Sequence, residues 1–257
     1  MIMTEYTLKA VPIASLPLPG WECFFGQNDT KFYDAIFYVW IVRNDGVVGL
    51  IDTGLPLSKT DQKPLIDASK SVDERCVFSD IVPLDRVLDE EGISGEEIDF
   101  VAITQPITYH TGGLVSSLFP KARVFISRAG FFEFLTENVG HPPRQFYFTE
   151  SSWSFLYRLL LENRICLVDE ITEILPGILF ETTGGHHPGS AALRIDTSKG
   201  KVGILETAFF QKNIDEILPI GIAENAALCR KAIKRFRNLC DIVVADHEPA
   251  NSLRFNG

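Results

Sequence analysis

The apolar and polar positions along the chain predict strands and helices that alternate. The run Ala35–Val42 is apolar throughout, as in a buried strand, and Asn44-Asp45-Gly46 has turn residues before a second apolar run, Val47–Ile51. Two apolar runs around such a turn predict a β-hairpin. Further strands are predicted at Ile98–Thr104, Ala122–Ile126, Ile178–Glu181, Ala191–Ile195, Val202–Leu205 and Ile242–Ala245.

Helical patterns fall between these strands. Pro83–Glu91 begins with a proline suited to a first turn and is followed by Gly92, a residue that commonly ends helices. A short helix is predicted around Leu114–Leu118, and Ala223–Asn238 has a long amphipathic pattern. The alternation favours a layered α/β fold with helices on the outside, built as one domain over residues 1–257.

Composition excludes several classes of protein. Of 257 residues, 46% are hydrophobic, which argues against disorder. The 24 Lys+Arg against 34 Asp+Glu give a net charge of −10, which argues against nucleic acid or an anionic membrane as partner. Five scattered cysteines without a CxxC pair indicate neither a disulfide framework nor a thiolate zinc site. With no signal-like amino terminus, we expect a cytoplasmic protein.

Residues 131–160 are unusually aromatic, with nine of the chain's 28 aromatic side chains. One interpretation is a pair of helices that pack on the core. The other is an inserted helical cap that walls an apolar substrate pocket or forms a homodimer contact. In the second interpretation Phe148 and Trp153 are candidate substrate-binding residues.

Three of the five histidines lie in glycine-rich or strand-end segments. His110 follows a predicted strand and precedes Gly112-Gly113, His186 lies in a Gly-Gly loop, and His247 follows the last predicted strand. Each alone is most simply a structural histidine, but the three together with Asp52 in an Asp-Thr-Gly turn indicate a site. His187 is expected outside it, and His141 is expected in a loop, although the aromatic cap could bring it to the mouth of a pocket.

These segments, taken in order, resemble the metallo-β-lactamase superfamily, and within it the lactonase-like branch that includes N-acyl homoserine lactonases. The resemblance covers roughly residues 38–249 and implies an αββα sandwich with the active site at one edge between its halves. It rests on five motifs: Leu50–Gly54, Ile98–Gly113, Thr183–Ser190, Gly203–Ala208 and Asp246-His247.

The chain departs from this family at four of the seven metal-ligand positions. The resemblance places Gln105 and Ile107 at two histidine positions, Tyr109 at an aspartate, and Thr207 at the aspartate that bridges the two metals. Three neutral imidazoles would then remain to hold two divalent ions. We therefore expect that the chain does not bind the family's dinuclear zinc centre.

Two hypotheses about the pocket stay open. A single divalent metal, zinc or iron, could be held by His110, His186 and His247, since three histidines and a water form a legitimate catalytic zinc site. Alternatively the pocket is metal-free, and the same histidines act as acid and base groups or hydrogen-bond the ligand. Tyr109 is then a proton donor or oxyanion partner, with Asp246 or Glu248 orienting a ring, or its phenol simply fills the space that the metal would occupy. In both, Gln105 and Thr207 are candidate substrate-binding residues.

The favoured function is an enzyme that acts on a small, partly apolar lactone, ester or related carbonyl compound. The alternative is a non-catalytic protein that binds a small ligand in the former active-site cleft, and a third hypothesis is an oligomeric scaffold. Asp52 is expected to organise loops by accepting backbone hydrogen bonds. Gly112-Gly113 fits either an anion cradle or tight packing.

Overall fold

The structure, a computed structural model, describes residues 5–28, 30–136 and 147–257. Its strands are β1 (Thr7–Pro19), β2 (Phe32–Asn44), β3 (Val47–Ile51), β4 (Ile98–Ile103), β5 (Arg123–Ser127), β6 (Ile165–Val168), β7 (Ile171–Leu175), β8 (Ile178–Thr182), β9 (Ala191–Thr197), β10 (Gly200–Leu205) and β11 (Ile242–Ala245). Its helices are α1 (Gly20–Cys23), α2 (Lys59–Val72), α3 (Leu84–Glu90), α4 (Thr108–Thr111), α5 (Arg128–Thr136), α6 (Glu150–Leu161), α7 (Gln211–Asp215), α8 (Ala226–Leu239) and α9 (Asn251–Arg254).

The strands form two sheets. The first has the order β1-β2-β3-β4-β5-β6, antiparallel from β1 to β3 and parallel from β3 to β6. The second has the order β11-β10-β9-β8-β7, in which only β10 and β11 are parallel. Side chains that follow β3 and β4 therefore meet at one edge of the first sheet, and those that follow β10 and β11 meet at one edge of the second.

The two sheets pack face to face between two layers of helices. Trp40 and Phe100 of the first sheet share one buried cluster with Phe180 and Leu193 of the second. The outer face of the first sheet packs on α2, α3 and α6, and the outer face of the second packs on α7 and α8. This is the αββα sandwich that the resemblance implies.

Most of the predicted elements are confirmed, with ends that shift by a few residues. The hairpin, the helix after Pro83 and the amphipathic helix α8 are all present. Asn225 caps α8 through its side-chain oxygen. The helix predicted at Leu114–Leu118 is wrong: the chain forms turns there, and the helical turn α4 comes earlier, directly after the loop that carries Gln105.

The first strand was not predicted, because Pro12, Pro17 and Pro19 interrupt its pattern. Its position explains why the prolines are tolerated. β1 lies at the edge of the first sheet, and β2 is the only strand that forms a ladder with it. On its other side the described chain makes isolated backbone hydrogen bonds, at Ala10, Ile13 and Ser15, so the N–H groups that the prolines lack break no ladder there.

The aromatic segment packs mainly on the core where the structure describes it. Phe131, Phe148 and Phe155 are buried in the cluster beneath the first sheet, whereas Tyr157 is exposed. This agrees with the interpretation of helices packed on the core. No helix in the described ranges is long and apolar enough to cross a membrane.

Candidate active site

The first pocket histidine is held by a buried carboxylate. Asp52 follows β3, and His110 lies on α4; their Oδ2 and Nδ1 atoms are 2.9 Å apart. The same carboxylate accepts hydrogen bonds from the backbone N–H and the hydroxyl of Thr104, at 2.8 and 2.6 Å. The prediction that Asp52 organises loops is thus confirmed, and its carboxylate also orients an imidazole.

Two loops meet tightly around this pair. Asp52 has a φ of 62°, a conformation that aspartate adopts more readily than most residues. The N–H and the hydroxyl of Thr53 both donate to the carbonyl of His110 at 2.8 Å. A Cβ on Gly112 would lie 2.1 Å from the nitrogen of Pro56, and one on Gly113 2.3 Å from the oxygen of Thr53. Tight packing, rather than an anion cradle, therefore accounts for the two glycines.

The second pocket histidine, His186, is paired with a carboxylate that the sequence analysis missed. Its Nδ1 donates to Glu206, which follows β10 and is completely buried. Burial raises the pKa of Glu206, but the charge of His186 and its hydrogen bond outweigh burial, so the pKa lies below its ordinary value. A charged residue directly after the apolar run of β10 is the sequence feature that indicates this carboxylate. The resemblance instead places the metal ligand at the next position, Thr207.

The third pocket histidine, His247, is anchored to a backbone carbonyl. Its Nδ1 lies 3.2 Å from the oxygen of Ile36, and because a carbonyl only accepts, that nitrogen carries the proton. The ring packs against Phe37 and Phe209, with centroids 4.5 and 5.1 Å away. Burial, followed by the positive charge of His110, lowers the pKa of His247 to about 3. The ring is therefore neutral at physiological pH, with its lone pair on Nε2.

The three histidines share one arrangement: Nδ1 meets an oxygen acceptor from another segment, and Nε2 takes no part in that contact. Fixing one ring nitrogen in this way sets the tautomer and the orientation of the ring. The Nε2 of His110 is buried and has no hydrogen-bond partner within the described part of the chain. This arrangement can hold a metal ion or exchange protons with a ligand.

Opposing charges set the protonation of His110 and Asp246. Burial alone would lower the pKa of His110, but Asp52 outweighs it and raises the pKa to about 9. Asp246, at the end of β11, has its pKa raised by burial and by the negative charge of Asp52. Three buried carboxylates thus surround the histidines, although none occupies position 109 or 207.

Tyr109 is half-buried at the wall of the pocket, where its ring packs 5.1 Å from those of Phe37 and His110. Burial, helped by the negative charges of Glu206 and Glu22, raises the pKa of its phenol. The hydroxyl therefore remains protonated at neutral pH and can donate a hydrogen bond.

A cavity of about 350 Å³ is lined by Tyr109, His186 and His247, and its described wall, which does not include His110, is mostly apolar. The described wall contains no lysine or arginine; its charged members are Glu22 and Glu224. Glu22, on α1, was missed by the sequence analysis. Burial raises its pKa to about 7, and the charge of His186 opposes this rise. The polar part of the wall comprises Glu22, Ser69, Gln105, Tyr109, His186, His187, Glu224 and His247.

The structure separates the candidate substrate-binding residues. Gln105 lines the cavity, whereas Thr207 is completely buried beneath it, and its hydroxyl has no partner among the described residues. Phe148 and Trp153 pack against each other, with ring centroids 6.3 Å apart, and are absent from the described cavity wall. Tyr147, rather than Phe148 or Trp153, is the aromatic residue of this segment that lines the described cavity wall.

The other two histidines differ in outcome. His187 lines the cavity, which corrects the expectation that it lies outside the site. Its Nδ1 accepts the N–H of Gly189 at 3.0 Å, and its Nε2 lies 3.0 Å from Glu133. His141 lies outside the described residues.

Among the residues that the structure describes, two groups of side chains bring possible ligand atoms within 4.8 Å of one another. One is the buried set His110, Asp246 and His247; the other is Glu133, His187 and Glu224. The first differs from the set proposed from the sequence, because Asp246 takes the place of His186. In the second group both nitrogens of His187 already face partners, as described above.

Comparison with solved structures identifies the fold. An N-acyl homoserine lactone hydrolase with N-hexanoyl-L-homoserine at its catalytic metal centre superposes with a TM-score of 0.78 and 16% identity over 98% of this chain and 97% of its own. A probable metal-dependent hydrolase from Staphylococcus aureus gives a TM-score of 0.74 and 14% identity over 96% and 91%. AidC, a dizinc quorum-quenching lactonase, gives 0.66 and 16% over 97% and 90%.

The chain therefore has the metallo-β-lactamase fold in its lactonase-like form. No family model matches the chain, and no curated protein matches it.

Proposed function

We propose that the chain is a hydrolase that acts on a small, neutral and partly apolar lactone, ester or related carbonyl compound. The observation that carries the proposal is that His186 and His247, each anchored through Nδ1, line one mostly apolar cavity together with Tyr109. The anchored ring of His110 lies buried next to them, with its centroid 5.1 Å from that of Tyr109 and 6.0 Å from that of His247. Two of the structural neighbours, both lactone hydrolases, bind the product N-hexanoyl-L-homoserine, which supports a ligand of this kind.

His186 is suited to act as general base. Glu206 accepts its Nδ1–H, so Nε2 is free to take a proton from the attacking water. The water oxygen bonds to the carbonyl carbon, and the carbonyl π electrons move to its oxygen. When the intermediate collapses, the C–O bond to the leaving group breaks and His186 returns the proton to the leaving oxygen. Glu206 stabilises the imidazolium between these steps.

Tyr109 and His110 stabilise the negative charge that develops on the carbonyl oxygen. The phenol stays protonated and donates a hydrogen bond. While no ion is bound, Asp52 raises the pKa of His110 to about 9, so this ring carries a positive charge at neutral pH; an ion on Nε2 would replace that proton and its charge. His247 is neutral and packs beside them. Gln105 at the cavity wall can orient the substrate through its side-chain amide.

The donor set bears on how many metal ions the pocket could hold. Ile107 offers no ligand atom, Tyr109 keeps its proton, and Thr207 supplies a neutral hydroxyl, so the positions at which the resemblance places the ligands of two ions supply no carboxylate. The orphaned Nε2 of His110 fits a single ion. An ion held by His110 and its neighbours would supply Lewis-acid polarisation of the carbonyl or of the attacking water.

A screen of neutral esters and lactones of graded acyl length, using untagged protein purified without chelator, tests the proposal. We expect His186→Ala to lower kcat by roughly 10²–10⁴-fold, the usual contribution of a general base. Tyr109→Phe should lower it by about 10²-fold or more, as for the loss of an oxyanion donor. Tyr157→Phe, an exposed tyrosine on α6, is the matched control. Turnover that is unchanged in both pocket variants contradicts the assignment.

A second candidate function is ligand binding without chemistry. Ile107 favours it, because an apolar side chain stands where the resemblance places a metal-binding histidine. A compound that binds the wild-type protein in calorimetry, and that mass spectrometry recovers chemically unaltered after prolonged incubation, would favour this function. Recovery of the ring-opened or hydrolysed product would favour the hydrolase.

A further inference from the structure

A buried ring nitrogen of His110, next to the cavity residues Tyr109 and His247, has no partner among the described residues. Asp52 and Thr104 surround Nδ1 of His110, while Nε2 is shielded from solvent and meets no hydrogen-bond partner among the described residues. A buried polar atom without a partner costs about 1–3 kcal/mol. Such an atom in a binding pocket indicates an absent partner.

Two further ligand atoms lie close to His110. One atom each of His110, Asp246 and His247 falls within a group whose members are at most 4.8 Å apart. All three residues are at most 3% exposed. The Nδ1 of His247 is bonded to Ile36, so Nε2 is its available ligand atom. Two imidazoles and a carboxylate form a donor set used by catalytic zinc and by non-haem iron(II).

His186 does not belong to this set. Its Nδ1 is bonded to Glu206, on the β10 side of the pocket, and it is absent from the group that brings the other two histidines together. Without His186, the ligand set for one ion consists of two histidines and one carboxylate. His186 is then free to exchange protons.

We infer that this protein binds one divalent transition-metal ion, Zn²⁺ or Fe²⁺, through His110, His247 and Asp246. In this site Asp246 supplies the carboxylate ligand that positions 109 and 207 lack, and it is adjacent in sequence to the ligand His247. His247 lines the cavity, so the ion would border the space in which a ligand binds. The inference concerns the pocket of the proposed function, but it does not depend on turnover.

Metal binding by the full chain tests the inference directly. Protein dialysed against chelator and then titrated with Zn²⁺ in a calorimeter should bind one ion per chain. Co²⁺ added to the same preparation should give one visible absorption band that saturates at one equivalent. Asp246→Asn keeps the shape of the side chain and should weaken Zn²⁺ binding at least 10-fold, whereas His186→Ala should change it less than threefold.

Folding is checked separately. Each variant is compared with the wild type by circular dichroism, and Zn²⁺ should raise the Tm of the wild type and of His186→Ala but not of Asp246→Asn. If Asp246→Asn fails to fold, His247→Gln replaces it, with the same expected loss.

Four results would overturn the inference: no binding by the wild type, two ions per chain, loss of binding in His186→Ala, or full binding in Asp246→Asn. If the first of these results, no binding by the wild type, comes with hydrolysis of an ester, the inference fails and the proposed function stands. If the protein binds one ion as described but turns over no carbonyl compound, the inference stands and the proposed function fails.

Discussion

Each pocket imidazole is oriented by an acceptor that lies far from it in the sequence. Asp52 holds His110, Glu206 holds His186, and the carbonyl of Ile36 holds His247. The histidines themselves were predictable, because glycine-rich loops and strand ends are where side chains reach a cleft. Their acceptors depend on which loops the two sheets bring together, and a single sequence does not specify that packing.

The carboxylates show the same limit. Positions 109 and 207, where the resemblance places carboxylates, hold Tyr109 and Thr207, which predicts a pocket without carboxylates. The structure places the carboxylates of Asp52, Glu206 and Asp246 at the pocket, from neighbouring positions. A shift of one residue at a strand end turns a side chain to the other face, so spacing alone could not decide between Glu206 and Thr207.

Glu22 makes a pH-dependent contribution to stability that can be measured. Its pKa is raised by burial to about 7 from an ordinary 4.5, so between these values the folded state binds a proton more tightly than the unfolded chain. Its contribution to the free energy of unfolding is therefore fully present below pH 4.5 and is lost as the pH rises towards 7 and beyond. The loss is on the order of 3 kcal/mol.

Urea unfolding of the wild type and Glu22→Gln from pH 4.5 to 8 measures this loss. Other buried groups titrate as well, so the quantity that matters is the difference between the two curves, which should widen with pH in favour of the variant. Glu216→Gln, at an exposed glutamate, is the control. Curves for wild type and Glu22→Gln that stay parallel would contradict the assignment.

At the scale of elements, strong local patterns were predictable and contextual ones were not. The hairpin of β2 and β3 has its own turn signal, and α8 has an amphipathic face and a capping asparagine. The edge strand β1 forms because it pairs with β2, although its prolines disfavour strand structure. The apolar segment Leu114–Leu118 is buried at Leu114 but forms turns, because Gly112 and Gly113 press the chain against the Asp52 loop.

Gly112→Ala should separate the loop of α4 from the loop after β3. The backbone of Gly112 has ordinary helical angles, with φ −64°, so the cost arises from collision of the new Cβ with Pro56. We expect a loss of about 3 kcal/mol in the free energy of unfolding, the upper range for overpacking, because the obstacle is backbone. Denaturant unfolding monitored by tryptophan fluorescence checks this.

Gly92→Ala is the matched control for this substitution. Gly92 ends α3 with φ 62°, and a Cβ there meets nothing within 4 Å, so only the left-handed backbone is penalised. That penalty is roughly 1 kcal/mol. Equal losses in the two variants would show that the contact of Gly112 with Pro56 is not a tight one.

At the scale of the whole molecule, charge should select the substrate. The chain carries a net charge of −10, and the described cavity wall has two glutamates and no basic side chain. We expect kcat/KM for an ester with an anionic acyl group to be roughly 10-fold or more below that for a neutral ester of equal length at low ionic strength.

Raising the ionic strength should narrow that gap, because salt screens the repulsion. The neutral ester, measured over the same salt series, is the control and should show little change. An anionic ester that is hydrolysed as well as the neutral one at low salt would contradict the expected repulsion.

The anchoring of the three imidazoles also has a consequence for the thermodynamics of binding. A side chain that becomes ordered only on binding loses rotational freedom at that moment, at a cost of about 0.5–1.5 kcal/mol for each one immobilised. His110, His186 and His247 are already oriented by bonds formed on folding. A ligand that meets them therefore encounters a rigid receptor, and the entropy lost on association belongs mainly to the ligand.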